Sequence, residues 1–263
     1  MTMSLNQYIL NPALKSNAVL NASTRELIKK SYESKFDNIM LRENGKITYY
    51  LFTEKEKTIY WAYIKVPSEV VHKFYYDVLF RFTPNPEYGY TDDLFKYNVQ
   101  FFSNDPNFCF TFAYVFNKND LLIPELKSRI GKEFLTKAPE VKNPTEQLSY
   151  EKAIYFAYLV MRDRKLNRIL RFRSESKPLE PKFLLQNIVP AEEMIQRRQE
   201  EGQKYSKKKK AVISKDAAAA ITKVAGRNVD LSTSHVKVAA TTKKVGTIKR
   251  ANSSKFIKTT PKK

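Results

Sequence analysis

The sequence predicts an α+β fold, an antiparallel aromatic-rich sheet packed by a few helices, followed by a long extended basic C-terminal arm. Three observations lead there. Apolar residues recur with a helical period in some stretches of the first two thirds of the chain and with a strand period in others. Of 34 aromatic residues, 32 lie before residue 204. Residues 204–263 hold 17 Lys/Arg against only Asp216 and Asp230, a net charge of +15 out of the whole chain's +20. A segment with so much like charge and so few large apolar side chains cannot offset its own ordering entropy, so only the part before it can build a core. The resulting division is an N-terminal extended segment over 1–22, a compact body over 23–166, an extended linker with a polar helix over 167–203, and the arm over 204–263.

The first element is a helix from about Ser23 to Arg42, because Ile28, Tyr32, Phe36 and Ile39 fall at spacings of four, four and three. Ser23 and Glu26 fit a capping box, and Asn44-Gly45 supplies a left-handed stop. From Lys46 the period becomes two. Ile47, Tyr49 and Leu51 alternate, then Tyr60, Ala62, Ile64 and Val66, which predicts a hairpin turning near Glu54 to Lys57. Residues 69–82 (EVVHKFYYDVLFRF) fit a helix or a strand, and the loop after them carries Pro84 and Pro86.

Phe95, Tyr97, Val99 and Phe101 alternate next, followed by Ser-Asn-Asp-Pro-Asn and a second alternation of Phe108, Phe110, Phe112, Tyr114 and Phe116. Two strands joined by a turn are the direct reading, with Cys109, Thr111, Ala113 and Val115 on the opposite face. A short helix over Pro124 to Leu135 and a longer one over Ser149 to Arg164 follow, the latter with Ile154, Ala157, Tyr158 and Met161 as its apolar stripe. The stretch RKLNRILRFRSESKPLEP then reads as basic and extended, a linker or partner-facing segment, before a polar helix from Ala191 to Lys204. Within the arm, Ser214, Asp216, four alanines, Lys223 and Gly226 outline a short helix of marginal stability alone in water.

Chemistry-bearing residues are scarce. Six glycines are scattered at 45, 89, 131, 202, 226 and 246, so no glycine-rich loop can cradle a phosphate. His72 sits in an apolar run and His235 in the arm, and one cysteine with two such histidines cannot assemble a metal site. Asp77, Asp92 and Asp93 read as exposed loop acids in preference to a carboxylate metal site. Cys109, between two phenylalanines and with no basic neighbour to lower its pKa, reads as a small core residue and not as a nucleophile. The expectation is a protein that is not an enzyme and uses no cofactor or metal.

A lone cysteine excludes an intramolecular disulfide and points to a reducing compartment, the cytoplasm or a virion assembled there. The apolar stretch Ala153 to Met161 is far short of the roughly 20 residues that cross a bilayer, and the opening MTMSLNQYIL lacks the basic and apolar regions of a signal peptide. No membrane partner is expected. Usage rich in Lys, Asn, Tyr and Phe and poor in Gly has the look of an AT-rich genome, as many phages have.

The arm is the strongest functional signal. Lys207, Lys208, Lys209, Lys210, Lys243, Lys244, Lys249, Arg250, Lys255, Lys258, Lys262 and Lys263 recur without balancing acids, the pattern of a segment that binds phosphates by counterion release. The expected partners are nucleic acid, DNA or RNA, through this arm, and protein subunits of a larger assembly. The expected role is a non-enzymatic structural or assembly subunit of a large nucleic-acid-containing particle such as a phage virion. A different reading is a replication or repair accessory protein that stacks single strands on the aromatic sheet. Five inward Phe and Tyr positions are a large apolar area to expose, with few basic residues nearby beyond Lys96 and Lys118, so core packing is the expected fate of those rings.

Overall fold

A computed structural model of the protein describes residues 3–10, 22–54, 58–89, 91–140 and 143–203. The structure is α+β, built on a mostly antiparallel five-stranded sheet. Helix α1 covers Leu5–Leu10 and α2 covers Ala22–Arg42. Ser23 lies inside α2, so it is not the cap residue that the spacing to Glu26 suggests. The other end is as expected. Asn44 and Gly45 take φ of 51° and 68°, and the Gly45 N–H donates to the Met40 carbonyl at 2.8 Å, closing the last turn.

Strands β1 (Tyr49–Thr53) and β2 (Tyr60–Pro67) pair antiparallel as expected, with Leu51 opposite Ala62, while residues 55–57 of the expected turn lie outside the described residues. The ambiguous segment 69–82 resolves into β3 (Tyr75–Thr83), antiparallel to β2. Its period is illegible in the sequence because residues 76–80 are buried on both faces of the sheet, which removes the polar alternation that marks a strand with one wet face. Strand β4 (Asn98–Ser103) completes the antiparallel set, placing Phe101 opposite Phe80.

The expected partner strand for β4 over 108–116 does not exist. After Ser103 the chain enters α3 (Pro106–Thr111) and α4 (Ala113–Lys118). Asp105 is the reason: its side chain accepts the Asn107 N–H at 2.9 Å, with Pro106 in the first turn, and these two residues begin a helix as readily as they make a turn. Five aromatics at every second position also contain three at every fourth. Phe108, Phe112 and Phe116 are the buried set, while Phe110, which a strand would place with them, is 55% exposed.

The segment 124–135 is broken at Gly131 into a 3-10 turn over Pro124–Leu126, α5 (Lys127–Ile130) and α6 (Lys132–Thr136). Gly131 has φ of 99°, and a Cβ there would meet Glu192 and Phe134 at 3.3 Å. Helix α7 (Lys152–Asp163) is capped by Glu151, whose carboxylate accepts the Ile154 N–H at 2.8 Å. It packs on β2, β3 and β4, and α2 packs behind it through Tyr32 and Phe36, whose rings lie 6.1 and 5.7 Å from Phe156.

Two segments expected to be extended fold into this core. Tyr8 of α1 is buried, its ring 5.0 Å from Phe101, and its hydroxyl donates to the Ser149 carbonyl at 2.9 Å. After α7 come α8 (Ile169–Glu175), β5 (Lys177–Pro178), which runs parallel to β1, and α9 (Pro181–Asn187). Phe172 of α8 meets Tyr60 at 5.6 Å and Phe183 of α9 meets Phe52 at 4.9 Å, each ring sealing one side of the sheet. The polar helix expected from Ala191 is present as α10 over residues 191–203. The arm, including its twelve basic candidates and the local helix signals at 214–226, lies outside the described residues.

Candidate nucleic-acid interface

Among the described residues, two of the acids considered as metal ligands serve the fold. Asp77 is buried on β3, not exposed in a loop. Its Oδ1 accepts from the Tyr63 hydroxyl at 2.7 Å, and its Oδ2 accepts from Asn104 Nδ2 at 3.0 Å and from the Val189 N–H at 3.1 Å. One carboxylate thereby ties β2, the end of β4 and the entry to α10 together. Asp93 accepts the Phe95 N–H at 3.0 Å and Asn167 Nδ2 at 2.9 Å, holding the turn before β4. No group of three or more His, Cys, Asp or Glu suited to a metal ion occurs among the described residues.

Cys109 is buried as expected, though in α3 and not in a strand, and burial pushes its thiol well above the usual range. His72 is exposed in the turn before β3. Among the described residues the most buried carboxylate is Glu151, with no measurable exposure, whose Oε1 has no hydrogen-bond partner. Burial first and the charge of Asp105 second push its carboxyl up to about 8.

Among the described residues most aromatic rings of the sheet are buried. Tyr60, Trp61, Tyr63, Phe80, Phe82, Phe101 and Phe102 are at most 2% exposed, covered by α7 and α8 on one side and by the segment from α9 into α10 on the other. The exposed rings of Tyr50, Tyr75, Tyr88 and Phe110 are dispersed over separate elements. Phe110, the most exposed of them, borders a 440 Å³ groove with Cys109, Phe134, Ala138 and Pro139. Base stacking needs a free aromatic face beside cations, and most of the rings that the alternation singles out are core.

Positive charge on the described body is concentrated in one place. Residues 1–203 carry 30 Lys/Arg and 25 acids, whereas residues 162–177 alone carry seven, Arg162, Arg164, Lys165, Arg168, Arg171, Arg173 and Lys177, against Asp163 and Glu175. The rest of the body is therefore neutral. Two of these cations are turned to the fold: Arg164 donates to the Gly45 carbonyl at 2.8 Å and lies 5.5 Å over the Tyr49 ring, and Arg173 donates to the Tyr60 hydroxyl at 2.9 Å. The Tyr49 hydroxyl donates to Glu175, which also accepts from Arg171 Nε at 3.1 Å, so Arg164, Tyr49, Glu175 and Arg171 form one connected chain across α8. Lys165, Arg168 and Lys177 are exposed and have no ion-pair partner among the described residues. The basic composition of this stretch is visible in the sequence, but an extended reading of it hides the cluster.

Among the described residues no helix is long and apolar enough to cross a membrane. No protein-family model, no curated protein and no solved structure matches the chain.

Proposed function

We propose that the protein is a non-enzymatic structural or assembly subunit of a large nucleic-acid-containing particle, such as a phage virion. In this reading the folded body takes its place among protein subunits and the basic arm contacts DNA or RNA. The observation that carries it is the segregation of charge: three quarters of the net +20 lies in the last 60 residues, which hold only Tyr205 and Phe256 as aromatics. Such a segment lacks the apolar surface to fold alone and has the cation density to displace counterions from a phosphate backbone.

The test uses the full chain and a variant with Gln at the twelve arm positions from Lys207 to Lys263 named above, each titrated with labelled single-stranded and double-stranded oligonucleotides. The expected result is a loss of affinity of at least about a hundredfold in the variant at low salt, the size that freeing several phosphates produces, with unchanged circular dichroism. Equal binding by the two proteins would remove the arm as the nucleic-acid element.

A further inference from the structure

Four exposed cations on the folded body, Lys165, Arg168, Arg171 and Lys177, line the outer surface of α8 and its flanks. Helical and strand rises place Arg168 and Lys177 within roughly 17 Å of each other along the chain, a span that several phosphates of a duplex cover. The fold holds this segment in place from beneath. Ile169 and Phe172 are buried, the Ile169 N–H donates to the Asp92 carbonyl at 3.0 Å, and β5 is paired with β1. The cations therefore stand on a structured base.

We propose that this ridge is a second phosphate-binding surface, on the body itself, that grips a nucleic-acid backbone without reading its bases. The proposal rests on the reading of nucleic acid as the arm's partner. Local acids do not outnumber the cations: Asp163 is engaged by Arg162 at 2.9 Å, and Asp93 by the Phe95 N–H and Asn167, which leaves Asp92 at the start of α8 and Glu180 after β5 as exposed acids beside the four ridge cations. The Arg171 to Glu175 pair is exposed and spaced i,i+4, an interaction worth so little in water that a phosphate can replace it.

Two features favour nucleic acid over an anionic membrane. Two of the four ridge cations, Arg168 and Arg171, are arginines, whose planar fork matches phosphate oxygens in pairs. Leu170, 74% exposed, is the one large apolar side chain that α8 presents outward, whereas a membrane-surface helix needs an apolar face to insert. No exposed ring belongs to the ridge, since Tyr49 is half-buried beneath Arg164, so the ridge meets the backbone and not the bases.

The experiment compares four full-length proteins: wild type; a ridge variant with Lys165→Gln, Arg168→Gln, Arg171→Gln and Lys177→Gln; an arm variant with Gln at Lys207 to Lys210, Lys243 and Lys244; and the two sets combined. Each is titrated with a duplex DNA, a single-stranded DNA and a single-stranded RNA over a range of salt, and with vesicles containing phosphatidylserine. The ridge variant is expected to lower the slope of log affinity against log salt on the duplex by about 0.9 for each phosphate that it no longer neutralises, with two or more phosphates freed in total. The combined variant is expected to bind more weakly than either parent. A control with Arg168→Lys and Arg171→Lys keeps the charge and is expected to keep most of the slope, which separates a change of charge from a change of fold. Wild-type affinity and slope in the ridge variant overturn the proposal, as does a loss confined to the vesicles. If the ridge variant weakens binding while the arm variant does not, the ridge stands and the reading of the arm falls.

Discussion

Tyr63 on β2 and Asp77 on β3 share a hydrogen bond of 2.7 Å in the interior, and the same carboxylate holds the end of β4 through Asn104 and the entry to α10 through Val189. Asp77→Ala removes the acceptor that these donors share, leaving the Tyr63 hydroxyl with only its longer contact to the Asn187 carbonyl at 3.4 Å, and a buried group short of a partner costs about 1 to 3 kcal/mol. The expected loss is on the order of 3 kcal/mol, read from urea unfolding. Tyr63→Phe removes one of the donors and leaves the others satisfied, so it is expected to cost about 1 kcal/mol.

Glu151 gives stability a pH dependence of unusual sign. Its folded-state carboxyl is raised to about 8 by burial and by Asp105, above the ordinary 4.5, so folding favours the protonated form. The stabilisation is complete below about pH 4.5, is lost progressively as pH rises, and is gone above about pH 8. Glu151→Gln keeps an oxygen to accept the Ile154 N–H and cannot ionise. Its melting temperature relative to wild type is expected to rise steadily from pH 5 to pH 8; a constant difference would mean that Glu151 does not titrate in that window.

The helical path of 106–118 separates neighbouring phenylalanines. Phe116 is buried against Phe101 and Phe108, with ring centroids 5.5 and 5.3 Å away, so Phe116→Ala is expected to cost about 3 to 5 kcal/mol. Phe110 meets Phe134 at one edge and is otherwise open, and Phe110→Ala is expected to cost under about 1 kcal/mol. A strand would make the two losses similar. Equilibrium unfolding of both variants decides between the two geometries.

Gly131 is required by its backbone. At φ of 99°, with Glu192 and Phe134 at 3.3 Å from an added Cβ, Gly131→Ala is expected to cost about 1 to 3 kcal/mol. A melting temperature equal to wild type would place the break between α5 and α6 elsewhere.

Several elements are legible in the sequence because their local signals agree. Asn44-Gly45 ends α2, and the alternations through Leu51 and Ile64 align in the first hairpin. Others are hidden by a physical degeneracy. Aromatics at every second position satisfy a strand and, taken at every fourth, a helix, and the deciding cue, Asp105-Pro106, suits a turn as well as a helix start. Basic residues make 167–180 look like a linker because side chains such as Arg168 and Arg171 are exposed while Ile169 and Phe172 anchor α8 beneath. Asp77 shows the same limit in reverse: an acid between Tyr76 and Val78 gives no local sign of the three elements that it joins. The reading of the arm rests on composition and not on packing, and the arm lies outside the described residues.

The most direct measurement of the central claim is the salt dependence of duplex DNA binding by the wild-type chain. With the arm neutralising phosphates, log affinity falls linearly with log salt at about 0.9 per phosphate, and a slope steeper than about 5 is predicted from the twelve cations of the arm. A slope near zero, or no binding at low salt, would contradict the account and leave the arm as a segment that docks on protein.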